Sequence, residues 1–251
     1  MARLSLSAVI ITQDAAAVLP ACLASVAFAD EILVVDAGSR DATVEIARTA
    51  GAKIITQPWL GYGPQKQLAV RRAAHDWVLC LDADERVSEP LRLQILQALE
   101  APPFYAYTMP RCNRFMGRWL RHGEGYPDLS LRLFHRAHGR WSNDPIHERV
   151  ESSGPVGRLQ GDILHESAAS LADYLAKQNR YTTLQAQQLL ASGQRVGVRQ
   201  LLMSPLLRFI KFYLLRRGFL DGIPGLVHIS IGCFNSFIKY AKTMAEQRKE
   251  D

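Results

Sequence analysis

The 251-residue chain is long enough for one medium-sized domain and an appendage, and its 48 % hydrophobic and 22 % charged residues exclude an intrinsically disordered protein. The net charge of +6 arises in residues 195–251, which contain 10 Lys/Arg and 4 Asp/Glu, whereas residues 1–194 contain 20 of each. A polyanionic partner would therefore meet the C-terminal segment.

The beginning of the chain and its cysteines bear on the compartment. MARLSLSAVIITQD has one Arg and a short apolar run without a small-residue cleavage site, which favours a first β-strand over a signal peptide. Cys22, Cys80, Cys112 and Cys233 form no C-x-x-C pair. This spacing argues against a zinc ribbon or a disulfide framework and favours a reducing cytosol.

Apolar, β-rich runs recur through the first hundred residues and alternate with helix-like stretches. The predicted strands are 6–12, 31–37, 52–57 and 77–83, and the predicted helices are 17–27, 41–50, 64–75 and 89–100. This alternation predicts βαβ units and an α/β fold with a mostly parallel, Rossmann-like sheet and helices on both faces. Asp41 and Ser88 are plausible N-caps of the second and fourth helices.

The pattern changes after residue 104. Short strand-like runs between loops rich in aromatic residues, Gly and Pro predict an antiparallel extension of the first sheet, up to residue 168. The rest of the chain is predicted to be helical, with helices at 170–193, 199–217 and about 225–247. We therefore expect a domain over 1–168 and a helical, basic extension over 169–251.

Polar side chains follow all four predicted strands of the first half. They are Thr12, Gln13, Asp14, Asp36, Gln57, Asp82 and Asp84. In a doubly wound parallel sheet, ligands bind beyond the carboxyl ends of the strands, where these side chains would meet. No Gly-rich phosphate loop follows the first strand, so a phosphorylated ligand would need a hard cation such as Mg²⁺ or Mn²⁺, held by the D-x-D of WVLCLDADERV. The alternative interpretation of Asp82 and Asp84 is an acidic turn exposed to solvent.

The motifs SAVIITQDA, ILVVDAGSRDAT, GYGPQKQLA and WVLCLDADE resemble the nucleotide-sugar motifs of glycosyltransferase family 2, which has the GT-A fold. The resemblance covers most of the chain. It implies that Asp36 binds the uracil ring of a UDP-sugar, that Asp82 lies near the ribose and that Asp84 binds the metal. Lys66 takes the place of a basic residue near the nucleotide, which makes Gln65 and Lys66 candidates for donor binding, although a solvated first helical turn would explain them as well. Gln67 departs from the usual Asn.

The middle of the chain is similar to a subgroup of this family that builds the lipopolysaccharide inner core. The similar segments are RCNRFMGRWLRHGEGYPDLSLRLFHR, PIHERV and ILHESAASLADYLAKQNRYT. The resemblance implies a metal-dependent inverting transfer of a hexose, glucose, from a UDP-sugar to a core heptose. A polyprenyl-phosphate or another cell-surface glycan remains the alternative acceptor.

An inverting transfer needs a base that accepts the proton of the acceptor hydroxyl. The segment WSNDPIHERV offers Asp144, His147 and Glu148, and we expect Glu148 to be the base and Asp144 the second choice, because relatives keep an acid here. A structural ion pair with Arg149 or Arg132 is the alternative for Glu148. His165 is a candidate for completing the metal shell, although a lone His is more often structural.

Arg111, Arg121, Asp128 and Arg132 lie in the segment expected to face the acceptor. Arg pairs phosphate through two parallel hydrogen bonds, and the inner-core acceptors of the resembled subgroup are commonly phosphorylated, so we expect these residues to bind the acceptor. Structural salt bridges would explain the same residues equally well.

The C-terminal segment from residue 204 is apolar, aromatic and cationic. Residues 219–238 contain no Lys or Arg but are interrupted by polar residues and Pro224, so a transmembrane helix is not expected. An interfacial surface at the cytoplasmic face of the bacterial inner membrane fits this pattern. The alternative is that these helices pack on the first domain or in a dimer, and both interpretations can hold together.

Two other classes of function are compatible with parts of the sequence. A strand that ends in D-x-D also occurs in haloacid-dehalogenase-type phosphatases, but there it is the first strand, and Arg86 stands where Thr or Val is expected. A non-enzymatic module that binds membrane or nucleic acid through the basic tail would leave the converging carboxylates unexplained. These carboxylates would repel a phosphate backbone, so no nucleic-acid partner is expected.

Overall fold

The computed structural model describes residues 3–144, 148–166 and 170–250. His147 and the domain boundary expected at residue 168 therefore lie outside the described residues. The strands within these ranges are β1 (Leu6–Thr12), β2 (Glu31–Asp36), β3 (Lys53–Thr56), β4 (Trp77–Asp82), β5 (Glu85–Val87), β6 (Ala106–Phe115), β7 (Arg118–Trp119), β8 (Asp128–His135), β9 (Gly139–Trp141), β10 (Val150–Ser152), β11 (Val156–Arg158) and β12 (Ile163–His165). The helices are α1 (Leu19–Ser25), α2 (Thr43–Thr49), α3 (Tyr62–Arg72), α4 (Glu89–Ala98), α5 (Leu171–Ala191), α6 (Val198–Phe209) and α7 (Gly222–Glu250).

The main sheet has the strand order β3-β2-β1-β4-β8-β6-β12-β5, with β7 and β11 paired to β6. Strands β1 to β4 are parallel, β8 is antiparallel to β4, and β6 is antiparallel to β8. The predicted α/β fold, with a parallel first half and an antiparallel extension, is thus confirmed. Strand β5 was not predicted, because three residues are too short to show a pattern.

The sheet is buried on both faces, as predicted. Side chains of β1 alternate between two hydrophobic clusters, because successive residues of a strand point to opposite faces. Ala8 and Ile10 pack in a cluster with residues of α1 and α4, whereas Val9 and Ile11 pack in a second cluster with residues of α3. This double burial explains why β1 is apolar almost without interruption.

Neither Asp41 nor Ser88 caps its helix in the predicted way. Asp41 accepts the backbone N–H of Thr43 at 2.9 Å, but the N-cap position of α2 is Ala42. Ser88 does occupy the N-cap of α4, but its hydroxyl accepts the backbone N–H of Asp162 at 2.9 Å. The Ser88 hydroxyl thus makes a tertiary contact and does not cap the helix.

The chain divides into two compact units, one of Met1–Arg111 with Asp128–His165 and one of Cys112–Pro127 with Glu166–Asp251. The second unit contains α5, α6 and α7 and also the segment 112–127. The N-cap of α5 is Ser170, whose hydroxyl accepts the backbone N–H of Asp173 at 3.1 Å. Helix α6 continues into a π-helical turn, Ile210–Leu215, and a 3₁₀ turn, Gly218–Asp221, leads into α7.

No helix within the described residues is both long and apolar enough to span a bilayer.

Within the second unit, Asp221 joins the 3₁₀ turn before α7 to segment 112–127. Its buried carboxylate accepts the backbone N–H groups of Arg121 and His122 at 3.0 and 2.8 Å and lies 3.0 Å from the His122 ring. Glu124 forms an ion pair with Arg208 of α6. Two carboxylates therefore fasten segment 112–127 to the C-terminal helices.

His228 is packed in α7 against the rings of Phe115 and Tyr174, with centroids 5.2 and 5.9 Å away. Burial, with a smaller contribution from the charge of Arg208, lowers the pKa of His228 from 6.5 to about 4, against the opposing effect of Asp221. The folded protein therefore keeps this ring neutral at pH values where the unfolded chain would protonate it.

This shift predicts a loss of stability in acid. Because the folded pKa is lowered, the contribution of His228 is complete above about pH 6.5 and is lost as the pH falls towards 4. Between about pH 7.5 and about pH 5.5 we expect the wild type to lose about 1 kcal/mol more unfolding free energy than His228→Phe. Urea unfolding at both pH values tests this; equal losses in the two proteins would contradict it.

Candidate active site

The ends of three adjacent strands bring Thr12, Asp36 and Asp82 together. Thr12 at the end of β1 is opposite Asp36 at the end of β2, and Ile11 is opposite Asp82 at the end of β4. Asp36 and Asp82 thus flank Thr12 on its two sides. This register realises the convergence expected from the sequence.

Asp36 is buried and its carboxylate is engaged by the protein. It accepts the backbone N–H groups of Gly38 and Ser39 at 2.9 Å each, the Thr12 hydroxyl at 3.1 Å and the Ser39 hydroxyl. A carboxylate has about four acceptor positions. A ring N–H of a ligand would therefore have to replace or share one of these four bonds.

The loops that follow β1 and β2 hold each other. Asp14 has a left-handed backbone with φ of 47°, its N–H donates to the Ser39 hydroxyl at 2.9 Å, and its carboxylate accepts the backbone N–H of Arg40 at 2.8 Å. Gln13 and Asp14 are exposed beside the buried Thr12. The two exposed side chains form an open edge next to Asp36.

Helix α3 places Lys66 between two carboxylates. The Lys66 ammonium is 2.9 Å from Asp82 Oδ1 and 3.0 Å from Glu148 Oε1, and it lies 4.7 Å from the centre of the Trp141 ring. Lys66 is only 3 % exposed, and Gln65 is fully buried with its amide donating to the Gln57 carbonyl at 3.1 Å. Burial of both side chains excludes the solvated-turn alternative for this pair.

Arg132 of β8 reaches Asp82 from the other side. Its Nη2 donates to Asp82 Oδ2 at 3.3 Å and to Glu85 Oε1 at 3.0 Å, and the guanidinium stacks 5.4 Å from the centre of the Trp141 ring. Burial alone would raise the pKa of Asp82, but the charges of Arg132 and Lys66 outweigh it and hold that pKa well below its usual range. Asp82 is therefore ionised at neutral pH.

Asp84 and His165, the two predicted metal ligands, are neighbours. His165 Nε2 lies 3.3 Å from Asp84 Oδ2. The antiparallel pairing of β5 and β12 places His165 opposite Glu85, the residue after Asp84. Among the described residues no cluster of three or more His, Cys, Asp or Glu side chains could hold a metal ion. The Asp84 carboxylate is a group that binds Mg²⁺ and Mn²⁺, but this pair alone is not a complete ligand set.

The two candidate bases have different surroundings. Glu148 is 18 % exposed and paired with Lys66, whereas Asp144 is 48 % exposed and its carboxylate accepts from Arg149 Nη1 at 3.1 Å. The ion pair of Glu148 is thus with Lys66 and not with the arginines considered from the sequence. Glu148 is joined to Asp82 through Lys66, whereas Asp144 contacts Arg149 of its own loop.

Three of the four predicted acceptor residues lie near Glu85. Arg111 Nη2 is 2.7 Å from Asp128 Oδ2, and Arg111 Nη1 is 3.6 Å from Glu85 Oε1. Arg132 is buried and contacts Asp82 and Glu85. Arg121 belongs to the second unit, where its backbone N–H is bonded to Asp221.

Sequence reasoning missed Glu85 and Trp141. Glu85 is fully buried and joins Arg132, Arg111 and the backbone of Asp82. Trp141 packs its ring against the Lys66 and Arg132 cations. A third acid directly after D-x-D was a signal for Glu85, but the sequence shows no partner for it.

The strand order and the sheet covered on both faces are those of the GT-A fold. Residues 7–155 match the model of the Glycosyl transferase family 2, so the chain belongs to this family and is a glycosyltransferase. This membership gives the phosphatase alternative no support.

Two curated relatives match along nearly the whole chain. The lipopolysaccharide core biosynthesis glycosyltransferase LpsC of Rhizobium meliloti is 30 % identical over 248 residues, covering 96 % of this chain and 92 % of that protein. An uncharacterized glycosyltransferase of Rickettsia prowazekii is 30 % identical over 258 residues, covering 94 % of this chain and 86 % of that protein. The chain therefore has a relative in lipopolysaccharide core biosynthesis.

Solved structures confirm the fold. The mannosyltransferase PcManGT of Pyrobaculum calidifontis, determined in complex with GDP-Man and Mn²⁺, superposes with a TM-score of 0.54 at 15 % identity, covering 98 % of this chain and 87 % of that one. Mannosyl-3-phosphoglycerate synthase of Rubrobacter xylanophilus superposes with a TM-score of 0.50 at 18 % identity, covering 78 % and 77 %.

The buried position of Lys66 predicts a stability effect. Lys66→Met leaves Asp82 and Glu148 facing each other without the cation between them, so we expect the unfolding free energy to fall by about 3 kcal/mol. Urea unfolding measures the change. Lys53→Met is the matched control: Lys53 is 59 % exposed and 3.9 Å from Glu31, and its loss should cost less than about 1 kcal/mol. Equal effects of the two substitutions would refute the role of burial.

Proposed function

We propose that this glycosyltransferase is metal-dependent and inverting, and that it transfers a hexose, glucose, from a UDP-sugar to a heptose of the lipopolysaccharide inner core. The observation that carries the proposal is the register that places Asp36 and Asp82 on either side of Thr12, with Asp84 and His165 next to them. The resemblance to a lipopolysaccharide core glycosyltransferase supports the acceptor class.

The donor would bind along the ends of β2, β1 and β4. Asp36 would accept the uracil N–H, Asp82 a ribose hydroxyl, and the exposed Gln13 and Asp14 would border the base. Asp82 is ionised and held from both sides by cations, so it is a fixed acceptor for a hydroxyl. Gln65 would act by holding the loop after β3 through the Gln57 carbonyl.

Asp84 and His165 would hold the divalent cation, Mg²⁺ or Mn²⁺, together with the diphosphate. The bound cation would stabilise the negative charge that develops on the leaving diphosphate. The mannosyltransferase PcManGT was solved with GDP-Man and Mn²⁺, which supports a cation in a protein of the same fold.

Glu148 would accept the proton of the acceptor hydroxyl as its oxygen attacks the anomeric carbon. The ammonium of Lys66, 3.0 Å away, fixes the position of the Glu148 carboxylate. A base that is already positioned contributes more to the rate than one that must be ordered at each turnover. Asp144, which is engaged by Arg149, is the second choice.

Arg111, Asp128 and Arg132 would line the acceptor side. Arg121 belongs to the second unit and stays a predicted acceptor residue. Arg111 is about one quarter exposed and is already neutralised by Asp128. A phosphate on the acceptor could compete with Asp128 for its guanidinium, because Arg binds either anion through parallel hydrogen bonds.

Two substitutions separate donor binding from chemistry. We expect Asp84→Asn to abolish the increase in melting temperature that UDP with Mn²⁺ gives the wild type, because one of the two protein ligands is lost. We expect Glu148→Gln to keep that increase but to lower transfer from UDP-glucose by about 10²-fold or more, because the base is removed. Differential scanning fluorimetry and UDP release measure the two effects.

Asp30→Asn is the control for the loss of one carboxylate, since Asp30 pairs with Arg3 at the opposite end of the sheet. UDP binding that needs no metal and is unchanged in Asp84→Asn would overturn the proposal. A screen of other nucleotide-sugars in the same assay identifies the donor.

The proposal extends to the cytoplasmic face of the bacterial inner membrane, with the protein bound peripherally. The π-helical turn and α6 contain no buried residue. Their exposed apolar side chains, with those of the following turns, form a surface that we name the apolar stripe. Its members are Val198, Leu202, Met203, Leu206, Leu207, Ile210, Leu214, Leu215, Phe219, Leu220 and Ile223.

The charge next to the apolar stripe suits an anionic lipid surface. No Asp or Glu occurs between Asp173 and Asp221, whereas exposed cations accompany the stripe. They are Arg195, Arg199, Lys211, Arg216 and Arg217. Apolar side chains that enter the bilayer interface and cations that remain at the headgroups act together in peripheral binding.

Charges placed in the stripe should release the protein from lipid. We expect the double substitution Leu214→Asp and Leu215→Asp to reduce flotation with vesicles of phosphatidylglycerol and phosphatidylcholine by about tenfold, because each Asp opposes both insertion and the anionic surface. Leu93→Asp with Leu129→Asp, at exposed apolar positions of the first unit, is the matched control.

An unchanged bound fraction would contradict the membrane role. Light scattering of the same proteins tests the alternative occupant of the stripe, a second copy of the chain. A dimer that the Leu214 and Leu215 substitutions dissociate, without flotation of the wild type, would replace the membrane by a homo-oligomer.

A further inference from the structure

Glu85 is a buried carboxylate to which the proposed mechanism gives no task. It begins β5, directly after Asp84, and its side chain is 0 % exposed. An ionised carboxylate in such a place costs free energy unless it is paired and hydrogen-bonded. Its partners therefore show what it does.

The two oxygens of Glu85 bind different parts of the site. Oε2 accepts the backbone N–H of Asp82 at 3.0 Å, which holds the strand end that carries Asp82 and Asp84. Oε1 accepts from Arg132 Nη2 at 3.0 Å, and Arg111 Nη1 lies 3.6 Å from it. One carboxylate thus joins the nucleotide-side backbone to the two arginines.

In its contact with Asp82, the Arg132 guanidinium does not use all of its hydrogen-bond donors. Its Nη2 serves both Asp82 and Glu85, while its Nη1 is buried without a hydrogen-bond partner among the described residues. A buried donor left unsatisfied costs free energy, so the contacts that hold the guanidinium in this orientation must outweigh that cost. Glu85 provides the shorter of the two Nη2 bonds.

Glu85 also lies on the strand pair that brings the proposed metal ligands together. It is opposite His165 in the pairing of β5 with β12, and His165 Nε2 is 3.3 Å from Asp84 Oδ2. A shift of β5 would therefore change the distance between Asp84 and His165. Glu85 reaches both proposed ligands through the backbone without touching a substrate.

We propose that Glu85 is a positioning residue, which rests on the proposed function above: it fixes the backbone of Asp82 and Asp84 and aims Arg132 at the Asp82 carboxylate. With the charge of Glu85 removed, the Arg132 guanidinium loses its shorter hydrogen bond to a carboxylate and is held less firmly beside Asp82. The N–H of Asp82 would be held more weakly by an amide oxygen than by a carboxylate.

The test is the affinity for UDP at saturating Mn²⁺, measured by calorimetry, in Glu85→Gln and Glu85→Asp. We expect the dissociation constant to rise by about 10-fold to 100-fold in Glu85→Gln, the usual range for a residue that supports a metal ligand. We expect Glu85→Asp, which keeps the charge but is one methylene shorter, to fall between Glu85→Gln and the wild type.

A readout without metal or nucleotide accompanies this measurement. Backbone hydrogen exchange of residues 82–87 should be faster in Glu85→Gln, because the Asp82 N–H loses its charged acceptor. Arg132→Met tests the second contact: if Glu85 acts through Arg132, the double variant should bind UDP no more weakly than Arg132→Met alone.

Glu31→Gln is the matched control. Glu31 is 12 % exposed and its carboxylate accepts the Ser7 hydroxyl and the backbone N–H of Ala74 at 2.6 Å each, at the other end of the sheet. It should lower the melting temperature without changing the affinity for UDP. An equal loss of affinity in both variants would show a merely structural role for Glu85 and overturn the inference.

The remaining outcomes are also decisive. Wild-type affinity in folded Glu85→Gln, or in folded Glu85→Asp if the Gln variant does not fold, overturns the positioning role while the proposed function stands. A wild-type protein that binds no UDP with Mn²⁺ overturns the proposed function, and the positioning role with it. A loss confined to the Glu85 variants supports both.

Discussion

The arrangement of charges in the site follows from two buried cations, which must be paired with carboxylates. Lys66 and Arg132 are 3 % and 5 % exposed and lie 4.7 and 5.4 Å from the centre of the Trp141 ring, where an unpaired charge would be very costly. The result is a row of alternating charges in which each member contacts the next. It runs from Glu148 through Lys66, Asp82, Arg132, Glu85 and Arg111 to Asp128. The carboxylates that face the proposed donor are thus held by the same contacts that keep the cations paired.

The parallel sheet supplies the positions that this row connects. The register of β1 with β2 and β4 sets Asp36 and Asp82 beside Thr12, and α3 covers the sheet face from which Lys66 reaches Asp82. The antiparallel strand β8 adds Arg132 next to β4. Parallel strands therefore bring the acids together, whereas the antiparallel extension and α3 bring the cations that order them.

The second unit is built on a different principle. The buried Asp221 and the partly buried pair of Glu124 and Arg208 join its helical part to segment 112–127, while α6 leaves the apolar stripe in contact with solvent. A stripe of this extent beside cations is not explained by packing within the unit. It is the physical basis for the proposed attachment to an anionic membrane. A protein attached in this way would meet a lipid-linked acceptor at the membrane surface.

Local pattern in the sequence determined the four parallel strands, the helices between them, the antiparallel extension and the acids at the strand ends. These follow from hydrophobic periodicity and from where polar residues interrupt it. The partners of those acids were decided only by the tertiary structure, because they are far apart along the chain. Glu148 meets Lys66 across 82 residues, Arg132 meets Glu85 across 47, and the three-residue strand β5, too short to show a pattern, sets His165 beside Asp84. The role of Glu85 could likewise not be predicted from the sequence, because its burial results from packing of the whole first unit.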